Sequence, residues 1–259
     1  MLDDYRDKGF AFAPGLLPAP DVAVINDALG AILAREDDPN RIIREADGTT
    51  PRTIVNPHMW DPVCAALTRH PRLLGTVETL LGEQVYAWQM GINAKAAFNG
   101  DIWFWHQDYP AYHVDDHIPE ARMVNALIFL DEVTHLNGPL MLVPGSHRRV
   151  EQAPDNADHG TSYAFRYATR DAIEAEVARA GIEVPTGPAG SVIFMNVNVL
   201  HGSGSNLSPW SRNMITLTYN AMSNKATEPS IRPAHIVPDD RNVPALTALG
   251  DDCLRAGVQ

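Results

Sequence analysis

A chain of 259 residues, 45% hydrophobic and 20% charged and without a low-complexity run, is composed like one globular domain able to bury a sizeable core. Its formal charge of −12 argues against nucleic acid as a partner, and the acidic start MLDDYRDKGF, with no apolar run of spanning length elsewhere, argues against a signal peptide or membrane span. Two cysteines far apart, Cys64 and Cys253, read as free thiols, and the default placement is cytoplasmic.

Early in the chain, DVAVINDALGAILARE (21–36) repeats apolar residues at three- and four-residue intervals, which predicts an amphipathic helix with Asp21 capping its start. Two short extended runs then flank Asp47-Gly48, a dipeptide suited to the positive φ angles of a hairpin turn. DPVCAALTRH (61–70) and PRLLGTVETLLGE (71–83) predict two short helices, opened by Asp61 and Pro71, the second closed by Gly82. Residues 1–83 are therefore expected to be mostly helical.

From residue 84 the texture changes to short runs rich in Val, Ile, Phe, Trp and Thr. VYAWQMGINAK (85–95), DIWFWHQDY (101–109), RMVNALIFLDEV (122–133), PLMLVPG (139–145), GSVIFMNVNVLHG (190–202) and RNMITLTYNAM (212–222) predict strands. Only TRDAIEAEVARAG (169–181) interrupts them as a helix. Helices first and mostly antiparallel strands afterwards predict a mainly β fold with α: a double-stranded β-helix (jelly roll, cupin-like) flanked by N-terminal helices. The jelly-roll core is expected at 84–235 and a C-terminal tail at 236–259, all within one domain.

The stretch WHQDYPAYHVDDH (105–117) holds two H-x-D triplets, His106-Gln107-Asp108 and His113-Val114-Asp115. Chance supplies roughly one such triplet in a chain of this composition, so context has to choose. Side chains two apart on a strand share a face, and His106 and Asp108 end an aromatic-rich strand. Pro110 cannot donate to a sheet ladder, so His113, Asp115, Asp116 and His117 are expected in a polar, solvated loop beyond it. A third ligand is His201, at the end of a second apolar strand and followed by small residues. Two histidines and a carboxylate on neighbouring strands leave open positions on Fe(II). Eleven residues later Arg212 opens a strand that runs back beside His201, where its planar fork could grip a carboxylate.

WHQD, then NGPLMLVPGSH (137–147), then H-G-S-G-S-N-x-S-P-x-x-R ending at Arg212 together resemble the phytanoyl-CoA hydroxylase-like branch of the Fe(II)/2-oxoglutarate dioxygenases. The resemblance runs from about residue 5 to 235 and is closest to bacterial enzymes that hydroxylate free amino acids and ectoine. It implies that His106, Asp108 and His201 are the iron ligands, and that Arg212 and Ser203 hold the distal carboxylate of 2-oxoglutarate with Asn125 as a further cosubstrate contact. Gln89, Tyr109, Tyr112 and Arg232 are the implied substrate contacts. Where several relatives carry a Lys two residues after the position of Gln89, this chain has Gly91, and either Lys95 or nothing takes that place.

The implied cofactor set is Fe(II), 2-oxoglutarate and O₂, acting on a small-molecule substrate in a monomer or homodimer. The implied reaction is hydroxylation of an unactivated C–H bond with release of succinate and CO₂. Asp108 sets halogenation aside, because halogenating relatives have a small residue there. Desaturation or ring formation, and a larger natural-product substrate, stay open. So do a zinc hydrolase using the same three ligands, which has no use for Arg212, and a metal-free jelly roll that binds a small ligand.

Overall fold

The computed structural model describes residues 1–149, 166–239 and 241–256; the remaining parts of the expected core and tail lie outside the described residues. Helix α1 (Leu2–Lys8) ends at Gly9, whose φ of 87° turns the chain into strand β1 (Phe10–Ala13). Helix α2 (Ala19–Arg35) follows, then the hairpin β2 (Ile42–Arg44) and β3 (Pro51–Val55). Helices α3 (Pro62–Leu67) and α4 (Pro71–Leu81) come next. The second half contains β4 (Val85–Lys95), β5 (Trp103–His106), α5 (Tyr109–Val114), β6 (Met123–Phe129) and β7 (Leu140–Leu142). It closes with α6 (Arg170–Ala180), β8 (Val192–Asn196), β9 (His201–Ser203) and β10 (Arg212–Ala221).

Seven strands form one antiparallel sheet in the order β1-β8-β6-β10-β4-β3-β2, and three form a second in the order β5-β9-β7. Strand alternation gives the large sheet two apolar faces. Val124, Ala126, Ile128, Ile215, Leu217 and Tyr219 turn outward into the main core beneath α2 and α4, joined by Val22, Ile25, Leu29, Leu73 and Val77. Leu127, Phe129 and Met214 turn inward against Leu140 and Leu142 of the small sheet. Two sheets packed face to face with a helical layer on one side are the expected jelly roll.

Several local expectations are corrected. Asp21 does not cap α2, whose cap position is Pro18; it is buried and accepts hydrogen bonds from His70 and Arg255. The N-terminal region also gives three strands to the large sheet, because β1 and the β2–β3 hairpin pair with β8 and β4. GSVIFMNVNVLHG is two strands, not one: the chain turns at Asn196, where its side chain and carbonyl accept from Asn198 and Val199. That turn carries His201 into the other sheet. The tail packs down, with Leu254 in the main core and Arg72 paired to Asp251. Among the described residues, no helix is long and apolar enough to cross a membrane.

Candidate active site

His106 is the last residue of β5 and His201 the first of β9, and these two strands pair so that the histidines are direct cross-strand neighbours. Their ring centroids lie 4.2 Å apart. Asp108 does not share a strand face with His106 as its spacing suggests. It stands beyond the strand in helical conformation (φ −77°, ψ −40°), at the cap position of α5. The turn still brings it in: Oδ1 lies 3.2 Å from Nε2 of His106 and 3.9 Å from Nε2 of His201. One ligand atom from each of the three residues falls within 4.8 Å of the others.

The surroundings fix how these groups can act. Nδ1 of His106 donates to the carbonyl of Phe104 at 2.7 Å, and Nδ1 of His201 to that of Val199 at 2.9 Å. A carbonyl only accepts, so both Nδ1 atoms carry the proton and both Nε2 lone pairs face Asp108. Burial, with His106 alongside, pushes His201 down to about 4, which keeps it neutral as a ligand must be. Burial opposes ionisation of Asp108, yet the carboxyl is held below its usual range, by His201 and His106 when they carry a second proton and by the hydrogen bond from the Asn125 amide in either case. Asn125 donates to Oδ2 of Asp108 at 2.6 Å and accepts from Thr218 at 2.7 Å, leaving Oδ1 toward the histidines. Two imidazoles with Nε2 turned inward and one anchored carboxylate fit a divalent metal that keeps open positions.

The cavity at this centre encloses about 1050 Å³ including its mouth, and its wall includes all three residues together with Asn125, Ser203 and Arg212. Arg212 is 1% exposed; its Nε donates to the carbonyl of Gly138 at 3.1 Å, while Nη1 has no hydrogen-bond partner among the described residues. Burial pushes its guanidinium down to about 10, so it remains charged, and Asp131 opposes the shift. A buried cation with an unused donor in a cavity wall calls for an anionic ligand.

Of the implied substrate contacts, Gln89, Tyr112 and Arg232 line the cavity. Gln89 donates to the carbonyl of Ile236 at 2.5 Å, and Tyr112 packs edge-on against Trp88 beneath the Arg232 guanidinium. Tyr109 is placed elsewhere, its hydroxyl donating to the carbonyl of Pro119 at 2.8 Å. Only the first part of the stretch expected as a loop after Pro110 is helical, as α5 up to Val114, since a proline in the first turn of a helix gives up an N–H that has no partner there anyway; Asp115, Asp116 and His117 follow outside the helix as expected, but the two aspartates are packed and not solvated. Asp115 and Asp116 are accordingly buried and paired, Asp115 with Arg166 and Asp116 with Arg232. His113 donates to the carbonyl of Ile118.

Residues that the sequence reading passed over also line the cavity, among them Asn93, Leu127, Met214, Thr216 and Thr218. Strand alternation was the signal for most of them. Counting by twos from Arg212 reaches 214, 216 and 218, and from Gln89 it reaches 91, 93 and 95. The register then sets Thr216 beside Gly91 and Leu127, and Arg212 beside Lys95. Lys95 therefore sits six residues along the strand from Gln89, at the Arg212 end, and not at the position of Gly91.

Comparison with known proteins places this geometry in a family. Residues 5–214 match the family described as Phytanoyl-CoA dioxygenase (PhyH). The chain is 34% identical over 251 residues to the ectoine dioxygenase of Bordetella bronchiseptica, covering 91% of this chain and 80% of that one. It is also 34% identical over 246 residues to the L-proline trans-4-hydroxylase of Streptomyces griseoviridis, covering 91% of both. Among solved structures it superposes on EctD from S. alaskensis with 2-oxoglutarate and 5-hydroxyectoine at a TM-score of 0.82 and 31% identity, covering 95% of this chain and 84% of that one. On the same enzyme with bound Fe the TM-score is 0.84, at 31% identity over 96% and 85% of the two chains. The chain belongs to the phytanoyl-CoA dioxygenase (PhyH) family and is a 2-oxoglutarate-dependent dioxygenase.

Proposed function

We propose that this dioxygenase hydroxylates an unactivated C–H bond of a small carboxylate-bearing substrate, a free amino acid or a cyclic relative of one. The observation that carries the reading is a cavity with a guanidinium at each of two places, the buried Arg212 and the partly buried Arg232, and the candidate metal ligands in the same wall. Arg212 suits the carboxylate of the cosubstrate, while Arg232, whose Nε and Nη2 are held by Asp116, offers a substrate carboxylate a fixed guanidinium in the cavity wall. Relatives that act on ectoine and on L-proline support the same size and charge of substrate.

In this reading His106, Asp108 and His201 hold Fe(II), and Asn125 keeps the Asp108 carboxylate turned toward it. Arg212 and Ser203 receive the distal carboxylate of 2-oxoglutarate. When bound, iron with 2-oxoglutarate and O₂ supplies the oxidation, which converts the cosubstrate to succinate and CO₂ and places one oxygen on the substrate carbon. Leu127, Leu140, Met214 and Trp103 furnish an apolar wall that excludes water from the reacting carbon. Asn56 and Gln89 both donate to carbonyls of residues 235–236, tying that segment across the cavity beside Arg232. Every residue named comes from one chain, so a monomer or a homodimer would serve equally.

The test is a screen for succinate release over free amino acids, cyclic imino acids and ectoine, followed by product mass for the gain of one oxygen. Turnover with none of the carboxylate-bearing candidates would remove the substrate assignment and leave the enzyme class untouched. A product lacking two hydrogens would favour desaturation or ring closure over hydroxylation.

A further inference from the structure

Gly91 stands in the interior of β4, where glycine weakens a strand: it packs nothing and loses more freedom on folding than any other residue. Neither backbone nor packing demands it here. Its φ lies outside the left-handed region, and an added Cβ would meet Cγ2 of Thr53 at 3.7 Å and the carbonyl oxygen of Ile54 at 4.0 Å, both ordinary contacts. What a longer side chain would fill is the cavity, whose wall Gly91 forms.

The gap has four side walls. Val55 on β3 and Thr216 on β10 are the direct cross-strand partners of Gly91, and Gln89 and Asn93 share its face of β4. All four line the cavity, and none is ionised. Nδ2 of Asn93 donates to Oγ1 of Thr216 at 3.3 Å, so the Thr216 hydroxyl proton is left to donate elsewhere. Nε2 of Gln89 donates to the carbonyl of Ile236 at 2.5 Å, which leaves Oε1 of the same amide to accept. The gap thus offers one donor and one acceptor. An ionised group buried there would lose its hydration without a counter-charge, and a hydrocarbon would leave both polar groups unpaired.

The gap also lies at a fixed distance from Arg232. Gln89 is tied to the segment that carries Arg232, and Gly91 is two residues further along the strand, about 7 Å away. A substrate held by its carboxylate at Arg232 reaches Gly91 only through a long side chain, with the reacting carbon between the two ends. We propose that Gly91 is a specificity-determining residue: the gap left by its missing side chain receives the far end of the substrate, an amino acid whose long side chain ends in a neutral amide-type group, a carboxamide or a ureido group. Such a group donates to Oε1 of Gln89 and accepts from Thr216 at the same time.

The inference rests on the proposed reading of Arg232 as the anchor of the substrate carboxylate. The experiment measures kcat/KM for succinate release by the Fe(II) enzyme with L-glutamine, L-citrulline, L-norleucine, L-lysine and L-glutamate. In the wild type the better of glutamine and citrulline should exceed the other three at least tenfold. Thr216→Val, which keeps the shape and removes the hydroxyl, should cut the preference over norleucine about tenfold, and Gly91→Val should abolish it by filling the gap. Thermal unfolding gives a readout apart from activity: Gly91→Ala should raise Tm by about 2 °C, because the glycine serves the ligand and not the strand. A wild-type preference for norleucine or a charged side chain, an unchanged preference in Gly91→Val, or a lower Tm in Gly91→Ala overturns the proposal and leaves the amino-acid reading standing. If no amino acid is turned over, the amino-acid reading itself fails, and the proposal with it.

Discussion

Arg232 lies fork to fork on a carboxylate that no solvent reaches: its Nε donates to Oδ1 of Asp116 at 2.8 Å and its Nη2 to Oδ2, and Asp116 is 0% exposed. Ser230 donates to the same Oδ1 at 2.7 Å, and the Arg232 backbone N–H donates to the Ser230 hydroxyl at 2.9 Å. Asp116 thus holds the segment that carries Arg232 as well as the guanidinium. Removing one member of a buried pair strands the other charge, so Asp116→Ala is expected to cost about 3 kcal/mol of unfolding free energy. Arg232→Ala should raise the KM for substrate while leaving the 2-oxoglutarate requirement unchanged. Urea unfolding and steady-state kinetics read the two effects. A stable Asp116→Ala protein with ordinary substrate KM would show that the pair has no part in holding the segment.

His106→Ala, Asp108→Ala and His201→Ala should each abolish 2-oxoglutarate turnover, and iron content after anaerobic loading should fall in step. His113→Ala should keep its iron. Asn125→Ala leaves the ligands in place but frees Oδ2 of Asp108, and loss of such a supporting hydrogen bond weakens metal affinity by roughly 10- to 100-fold. If the metal followed Asp115 and not Asp108, the choice between the two H-x-D triplets would be wrong.

For the cosubstrate, Arg212→Ala is expected to raise the 2-oxoglutarate requirement by roughly tens-fold, the value of a charge-assisted contact in a dry pocket. Arg212→Lys should recover only part, because an ammonium cannot present two parallel N–H groups. The readout is the visible charge-transfer band that forms when 2-oxoglutarate meets Fe(II) without oxygen. Identical titration curves for all three proteins would remove Arg212 from the site.

Stability should fall on mild acidification, in part through His58. Burial pushes this histidine down to about 4, and its Nδ1 has no hydrogen-bond partner among the described residues. In the unfolded chain it titrates near 6.5, so between about 6.5 and 4 the unfolded state binds the extra proton and stability drops as pH falls; below about 4 both states are protonated and the effect levels off. His70, also lowered by burial, adds to the loss of stability as pH falls below its ordinary value: its Nδ1 accepts the N–H of Arg72 at the start of α4, and protonation would remove that acceptor. Unfolding free energies at pH 7, 5.5 and 4.5 should show His58→Gln with a shallower acid slope, by up to one proton. A slope equal to that of the wild type would mean that His58 is as free to protonate when folded as when unfolded.

Much of the molecule is determined locally. Asp61 and Gly82 mark helix ends because a carboxylate satisfies free N–H groups and glycine accepts positive φ, and these signals need no distant partner. Strand composition gives the β-rich second half in the same way, and the ordered motifs bring His106, Asp108 and His201 to notice. Tertiary structure decides what depends on register and on long separations in sequence. The same Pro110 serves to break a strand or to begin a helix, and only packing of Tyr109, Pro110, Ala111 and Tyr112 selects the helix. Which alternate residues of β4 and β10 face the cavity follows from which face the helices cover. Lys95 meets Arg212, and Asp116 meets Arg232, across 117 and 116 positions of chain, because sheet register and burial bring them together; no local pattern encodes a partner that far away.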